Sequence, residues 1–234
     1  MNKDLFIKEL EKIGINLTNE QILKLDQFYR ILLEWNEKIN LTTITDENEV
    51  YLKHFYDSLT LIKVVNFNEK MTLCDVGTGA GFPGIVLKIV FPNLRVTLID
   101  SLNKRIIYLN DVINRLDLTD IEAVHARMED YSRKNIEKFD IITARAVASI
   151  SVLAEISVLS LKIGGNIVLM KANGEEELNG SINALKKLKL RVEKFDKFLL
   201  PIENSSRMLI SIIKTSKTDK IYPRNIDKIR KMPL

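Results

Sequence analysis

The sequence predicts an α/β protein: a mostly parallel sheet that ends in an antiparallel hairpin and is preceded by an N-terminal helical segment. Three observations carry this. A strand, a glycine turn and an apolar helix follow one another from Leu73 through Asp75-Val76-Gly77-Thr78-Gly79-Ala80-Gly81-Phe82-Pro83-Gly84 to Phe91, where Pro92 stops the helix. Short β-branched runs then alternate with amphipathic stretches as far as Lys171, the pattern of a parallel sheet covered on both faces. Finally, residues 191–200 and 208–214 are apolar-rich runs separated by a gap too short for a crossover helix, so they must pair antiparallel.

In chain order, Leu5, Phe6, Leu10 and Ile13 are spaced for a short amphipathic helix. Thr18-Asn19-Glu20-Gln21 resembles a capping box, and behind it Ile22, Leu25, Phe28, Tyr29, Leu32, Leu33 and Trp35 line one side of a longer helix. Those aromatics read as core. Asp46 with Glu49 opens a further helix carrying His54, Asp57 and Ser58, whose spacing of three and four puts them on one face. They are either a self-satisfied hydrogen-bond cluster or a polar patch over a ligand. Residues 66–70 read as a linker. The predicted division is 1–65 as a helical extension, 66–215 as the sheet domain and 216–234 as a basic tail. Strands at 96–100, 121–126, 139–143 and 167–170 follow, with a helix over 101–116, and Arg145 and Lys171 fall at the carboxyl ends of neighbouring strands, on the edge where open α/β sheets hold ligands.

The glycine turn suits a nucleotide, because glycine permits positive φ and lets a ligand approach the main chain. A phosphate-binding P-loop fails, since Ile85 stands where Lys is required after Gly84. A dinucleotide fingerprint starting at Gly77 and Gly79 would need glycine at Phe82, which weakens an NAD site without excluding it. S-adenosylmethionine is the remaining ligand, with its amino-acid end on the turn after Asp75 and its ribose on Asp100, the acid closing the next strand. The strand end at Arg127-Met128-Glu129-Asp130 offers acceptors for an adenine amino group. A parallel sheet ending in an antiparallel hairpin matches the seven-stranded, Rossmann-like sheet of class I S-adenosylmethionine-dependent methyltransferases, which favours the methyl donor over NAD.

Composition sets the class of protein: 234 residues, 46% of them hydrophobic, bury one substantial core. The charged start lacks a signal-peptide run and no window is apolar enough to span a membrane, so a cytoplasmic protein without membrane contact is expected. Cys74 is the only cysteine, and His54 and His125 are far apart, so neither a disulfide nor a metal site is expected. Seven basic residues against two acidic ones from Lys214 onward give a tail suited to a phosphate-rich partner, or simply a solvated end.

Together these residues resemble the small-subunit ribosomal RNA methyltransferase G family, also called glucose-inhibited division protein B. The signatures are Asn40-Leu41-Thr42, His54 with Asp57-Ser58, the turn from Asp75 to Gly84, Asp100-Ser101 with Lys104-Arg105, Arg127 with Glu129, Arg145-Ala146, and Lys171. Ala172 departs from the family's usual glycine. The resemblance implies methyl transfer from S-adenosylmethionine to guanine N7 in 16S rRNA, in a loop near the decoding centre, with naked RNA or the small ribosomal subunit as partner. It places cofactor contacts on Gly77, Phe82, Met128, Glu129 and Arg145, joined by Asp75, Gly79 and Asp100 from the reading above.

Guanine N7 has a lone pair and no proton, so no acid or base is required. Asn40, His54, Asp57, Ser58 and Lys171 are candidates for positioning, and Lys104, Arg105, Arg207 and Arg224 for RNA binding. Cys74 is expected to be an inert core thiol rather than a nucleophile. A monomer is expected. The rival classes are an NAD-linked oxidoreductase and a non-catalytic RNA-binding module.

Overall fold

The computed structural model describes residues 1–67, 69–145 and 147–234. Ala146, part of the Arg145-Ala146 signature, and Asn68, within the 66–70 linker, lie outside the described residues. Two helices open the chain, α1 (Lys3–Lys12) and α2 (Asn19–Asn36). The capping box of α2 forms as read, with Gln21 N donating to Thr18 Oγ1 at 3.2 Å and Thr18 N to Gln21 Oε1 at 2.9 Å. Next come α3 (Glu47–Val50), capped by Asp46, a π-helical turn Tyr51–Tyr56, α4 (Asp57–Leu59) and a 3₁₀ turn Thr60–Lys63. Sequence spacing assumed an α-helical period through this run; with the π turn in place, His54 and Asp57 still meet on Arg145 and Ser58 donates to His54 O.

The sheet contains β1 (Thr72–Val76), β2 (Arg95–Asp100), β3 (Ile121–His125), β4 (Phe139–Arg145), β5 (Leu161–Lys171), β6 (Leu190–Leu199) and β7 (Ser206–Lys214). Their order is β3-β2-β1-β4-β5-β7-β6, parallel throughout β3-β2-β1-β4-β5 and antiparallel where β7 meets β5 and β6. The fifth strand, expected over 167–170, begins earlier, at Leu161, and includes Gly164 and Gly165 beside a register irregularity against β4. Helices α5 (Gly84–Val90), α6 (Asn103–Arg115), α7 (Met128–Lys134), α8 (Ile150–Ser157) and α9 (Glu175–Lys187) connect the strands, and α10 (Ile226–Lys231) lies in the basic tail.

Each face of the sheet has its own apolar core. Leu73, Val96 and Leu98 join Phe6, Leu10, Leu25 and Phe28 of the N-terminal helices on one side. Cys74, Val76 and Ile142 join Leu153, Leu185 and Ile229 on the other. Cys74 is fully buried, and burial raises its thiol pKa well above the ordinary value, so it is the inert core thiol that its alternation within β1 implied. The tail is anchored although most of its residues are exposed: Ile229 of α10 is completely buried in this second core.

Two charged side chains are buried beneath the layers as structural donors. Lys88 gives its ammonium to the carbonyls of Pro92 and Leu94, and Lys214 gives its own to those of Val158 and Leu161. Burial lowers the pKa of both amines. No helix among the described residues is long and apolar enough to cross a membrane.

Candidate functional site

The turn after β1 takes positive φ at Gly77 (64°), Gly79 (59°) and Gly81 (90°). A Cβ on Gly77 would come within 2.8 Å of Val147 Cγ2, so only glycine lets the turn pass under the loop after β4. Gly84 supplies the close helix-to-strand approach that sequence spacing sought at Phe82 and found missing. A Cβ there would strike Leu98 and sit 2.9 Å from Asp75 Oδ2.

Asp75, expected at the cofactor, lies instead beneath the turn with no exposed surface. Its Oδ2 accepts from the Thr78 hydroxyl (2.7 Å) and Gly84 N (2.9 Å), while Oδ1 is buried without a hydrogen-bond partner. Burial is the largest influence on it and raises its carboxyl pKa to about 6. Asp75 therefore braces the turn, and the alternation of β1 was the signal that it faces the opposite layer from Cys74.

Asp100 is the hinge of the site. Its Oδ2 accepts from Gly79 N (3.0 Å) and Arg105 Nη1 (3.1 Å), its Oδ1 from Leu102 N (2.9 Å), and it lines both of the cavities that meet at this edge of the sheet. One, of about 470 Å³, is walled by Leu41, Thr42, His54, Phe82 and Arg145 over the glycine turn. The other, of about 430 Å³, is walled by Met128, Glu129, Val152 and Ile156. They share Gly77, Asp100, Ser101 and Val147 and so form one trough.

At the first end, His54 stacks on Phe82 with ring centroids 4.4 Å apart. Phe82 in turn packs on Phe28 and Phe55, which ties the turn to the N-terminal helices. Arg145 Nη2 lies 3.1 Å from His54 Nδ1, and a guanidinium can only donate, so Nδ1 accepts and Nε2 carries the hydrogen. That hydrogen is donated to Thr42 Oγ1 at 3.0 Å. Burial, then the Arg145 charge, depress the His54 pKa to about 3, so the ring is neutral at physiological pH. Arg145 Nη1 also donates to Lys53 O (3.0 Å) and lies 3.5 Å from Asp57 Oδ2, while Asp57 Oδ1 accepts from Arg207 Nε at 3.0 Å.

Thr42, which the residue-by-residue reading did not single out, accepts from both His54 Nε2 and Ile44 N, leaving its own hydroxyl hydrogen to donate from the cavity wall. At the second end the defining feature is Glu129 Oε1, buried without a hydrogen-bond partner and 4.0 Å from Arg127 Nη1.

The trough brings together Gly77, Gly79, Phe82, Asp100, Met128, Glu129, Arg145 and His54. Other candidates fall behind it. Ser58 is fully buried and donates to His54 O, and Asp57 acts through the two arginines. Lys171 bonds Ala148 O and Glu177, so it holds the loop over the trough without facing it. Asn40 is exposed next to Leu41 and Thr42.

The basic candidates for RNA also divide. Arg105 is turned inward to Asp100, and Arg207 to Asp57. Arg224 is locked to Glu155 through Nε to Oε1 and Nη2 to Oε2, each 2.7 Å. Lys104 is exposed and makes no ion pair among the described residues. Sequence distance hid the partners of Arg207 and Arg224, whose carboxylates lie 150 and 69 residues away, whereas Asp100 stands only five residues before Arg105.

The strand order, the C-terminal hairpin and a trough over the glycine turn define a class I S-adenosylmethionine-dependent methyltransferase fold. Two solved structures share it. One is a methyltransferase from Pyrococcus furiosus (TM-score 0.55, 18% identity, covering 80% of this chain and 98% of that one). The other is a SAM-dependent methyltransferase from Aquifex aeolicus (TM-score 0.53, 19% identity, covering 73% and 94%). Within that class, the profile of the GidB family, rRNA small subunit methyltransferase G, matches residues 21–206. Proteins named ribosomal RNA small subunit methyltransferase G from Staphylococcus carnosus and Lysinibacillus sphaericus are each 46% identical over 100% of this chain, covering 99% and 100% of their own lengths. The chain belongs to this family.

Proposed function

We propose that the protein methylates N7 of a guanine in 16S rRNA, with S-adenosylmethionine as donor and the small ribosomal subunit or its RNA as partner. The observation that carries the donor assignment is the pair of carboxylates along the trough: Asp100 where the two cavities join, and Glu129 with a buried, unpartnered oxygen at the far end. A ribose diol and an exocyclic adenine amine are the donors such acceptors fit. The sheet ending in the β6–β7 hairpin has the class I methyltransferase order rather than that of a plain dinucleotide-binding sheet, and the family assignment points the same way.

When bound, S-adenosylmethionine supplies a methyl group on a sulfonium. The side chains then have only to hold and orient. Gly77 and Gly79 present main chain, and Asp100 stays fixed by Gly79 N, Leu102 N and Arg105. Guanine exposes two acceptors on its outer edge, N7 and O6. The Thr42 hydroxyl is a donor suited to O6, which would leave N7 free to attack.

No residue needs to take a proton, in keeping with a His54 whose nitrogens are committed to Arg145 and Thr42. Alignment of this kind accounts for up to roughly 7–11 kcal/mol in well-oriented reactions. The methylated guanine is cationic, and Asp57 balances the Arg145 charge that it meets.

The test is transfer of labelled methyl from S-adenosylmethionine to unmethylated 16S rRNA and to small subunits carrying it, with the product mapped by borohydride reduction and aniline scission at 7-methylguanosine. Label at one guanine N7 is the expected result. No incorporation into either substrate overturns the proposal.

A further inference from the structure

We infer that the C-terminal segment, residues 222–234, belongs to the cofactor site: it forms a wall at the adenine end of the trough, so that docking of the segment and binding of the adenosyl group are coupled. This rests on the S-adenosylmethionine reading above.

The segment is held by the same two helices that build this end. From α8, the buried Glu155 carboxylate accepts from Arg224 Nε and Nη2 and also from Arg224 N, at 2.9 Å, while Arg224 Nη2 donates to Met232 O within the segment. From α7, Arg133 donates to the carbonyls of Pro223 and Arg224. Ile229 completes the attachment in the core.

Helix α7 also presents Met128 and Glu129 to the 430 Å³ cavity, and α8 presents Val152. Ile226, Arg230 and Pro233 of the segment line that same cavity. A purine entering it therefore covers apolar surface of the segment while its amine meets the orphaned Glu129 oxygen. Filling the cavity adds contacts that the released segment would lose, so each binding event favours the other.

Composition pointed to a different role for these residues. Their positive charge suggests an RNA-binding tail, yet Arg224 is committed to Glu155, and Ile226 and Pro233 contribute apolar surface.

The experiment uses the full chain and S-adenosylhomocysteine as the probe. Ile226→Ser is expected to raise its Kd about tenfold, the loss of one apolar contact on the purine. Lys217→Ala, on an exposed residue outside the cavity, should leave Kd unchanged. In the wild-type protein, saturating S-adenosylhomocysteine should slow tryptic cleavage after Lys228, Arg230 and Lys231, a readout that stands if Ile226→Ser fails to fold.

Equal Kd for wild type and a folded Ile226→Ser overturns the inference. So does cleavage that the ligand does not slow, or an Ile226→Ser protein that loses RNA affinity alone. A wild-type protein that shows no binding of S-adenosylhomocysteine sinks the cofactor assignment itself, and is told apart because no variant is needed to see it.

Discussion

The two ends of the trough are built on opposite plans. At the His54 end the central charges are paired before any ligand arrives: Arg145 is held by His54, Lys53 O and Asp57, and Asp57 by Arg207. At the Glu129 end the walls are largely apolar and one carboxylate oxygen stands without a partner. The first end is preorganised, which costs stability when it is disturbed. The second holds a carboxylate oxygen with no hydrogen-bond partner in the protein, which a ligand can satisfy, so disturbing it should cost binding more than folding.

The sharpest way to break this contrast is at the turn between the two ends. Gly84→Ala drives a methyl group against Leu98 and Asp75 and removes the room in which Asp75 braces the turn. The expected loss is about 3 kcal/mol or more, read as a fall in Tm of about 6–12 °C, with binding of S-adenosylhomocysteine lost at both ends. A variant as stable as wild type would mean that the turn has slack the structure does not show.

The preorganised end is sharpened by pH. The His54 pKa is depressed from 6.5 to about 3 in the folded protein. The unfolded chain therefore binds the extra proton first, and the stabilising contribution of neutral His54 is complete above pH 6.5 and lost as pH falls toward 3. His54→Gln keeps an acceptor for Arg145 without that titration. The stability of wild type relative to this variant should fall by about 1.4 kcal/mol per pH unit below 6.5, measured by urea unfolding at pH 7, 6 and 5. Parallel curves would show that the ring is not held neutral.

The smallest effect on stability belongs to the open end. Glu129→Ala removes an unpartnered oxygen, so the ligand-free protein should be as stable as wild type or slightly more so. Its affinity for S-adenosylhomocysteine should weaken about tenfold, by titration calorimetry. A loss of stability with unchanged affinity would reverse the roles assigned to the two ends.

What could be read from the sequence was what neighbouring residues decide. The capping box at Thr18 and Gln21, the glycines at positive φ, and the hairpin forced by a short gap all follow from local chemistry. So did the placing of Asp100 at a strand end. What could not be read depends on partners distant in the chain. Arg224 looked like an RNA contact because nothing near it shows that Glu155, 69 residues earlier, is its partner. Arg207 looked free for the same reason, whereas Arg105 turns back to Asp100 only five residues before it, a pairing that the local sequence did offer. The dinucleotide spacing rule sought a glycine at Phe82, although Gly84 performs the close packing. Asp75 was placed at the ligand because its type and position fit, while its bonds to Thr78 and Gly84 put it one layer below.

The π turn at Tyr51–Tyr56 holds one residue more than an α-helical ladder accommodates. Asp57 N bonds to Leu52 O, five residues back, and Lys53 O is taken by Arg145 instead. Deleting a single codon there would restore the regular ladder and rotate Asp57 by about 100° around the helix axis, carrying it away from Arg145 and Arg207 together. The hold of Asp57 on Arg145 and Arg207 thus depends on the one extra residue of this turn.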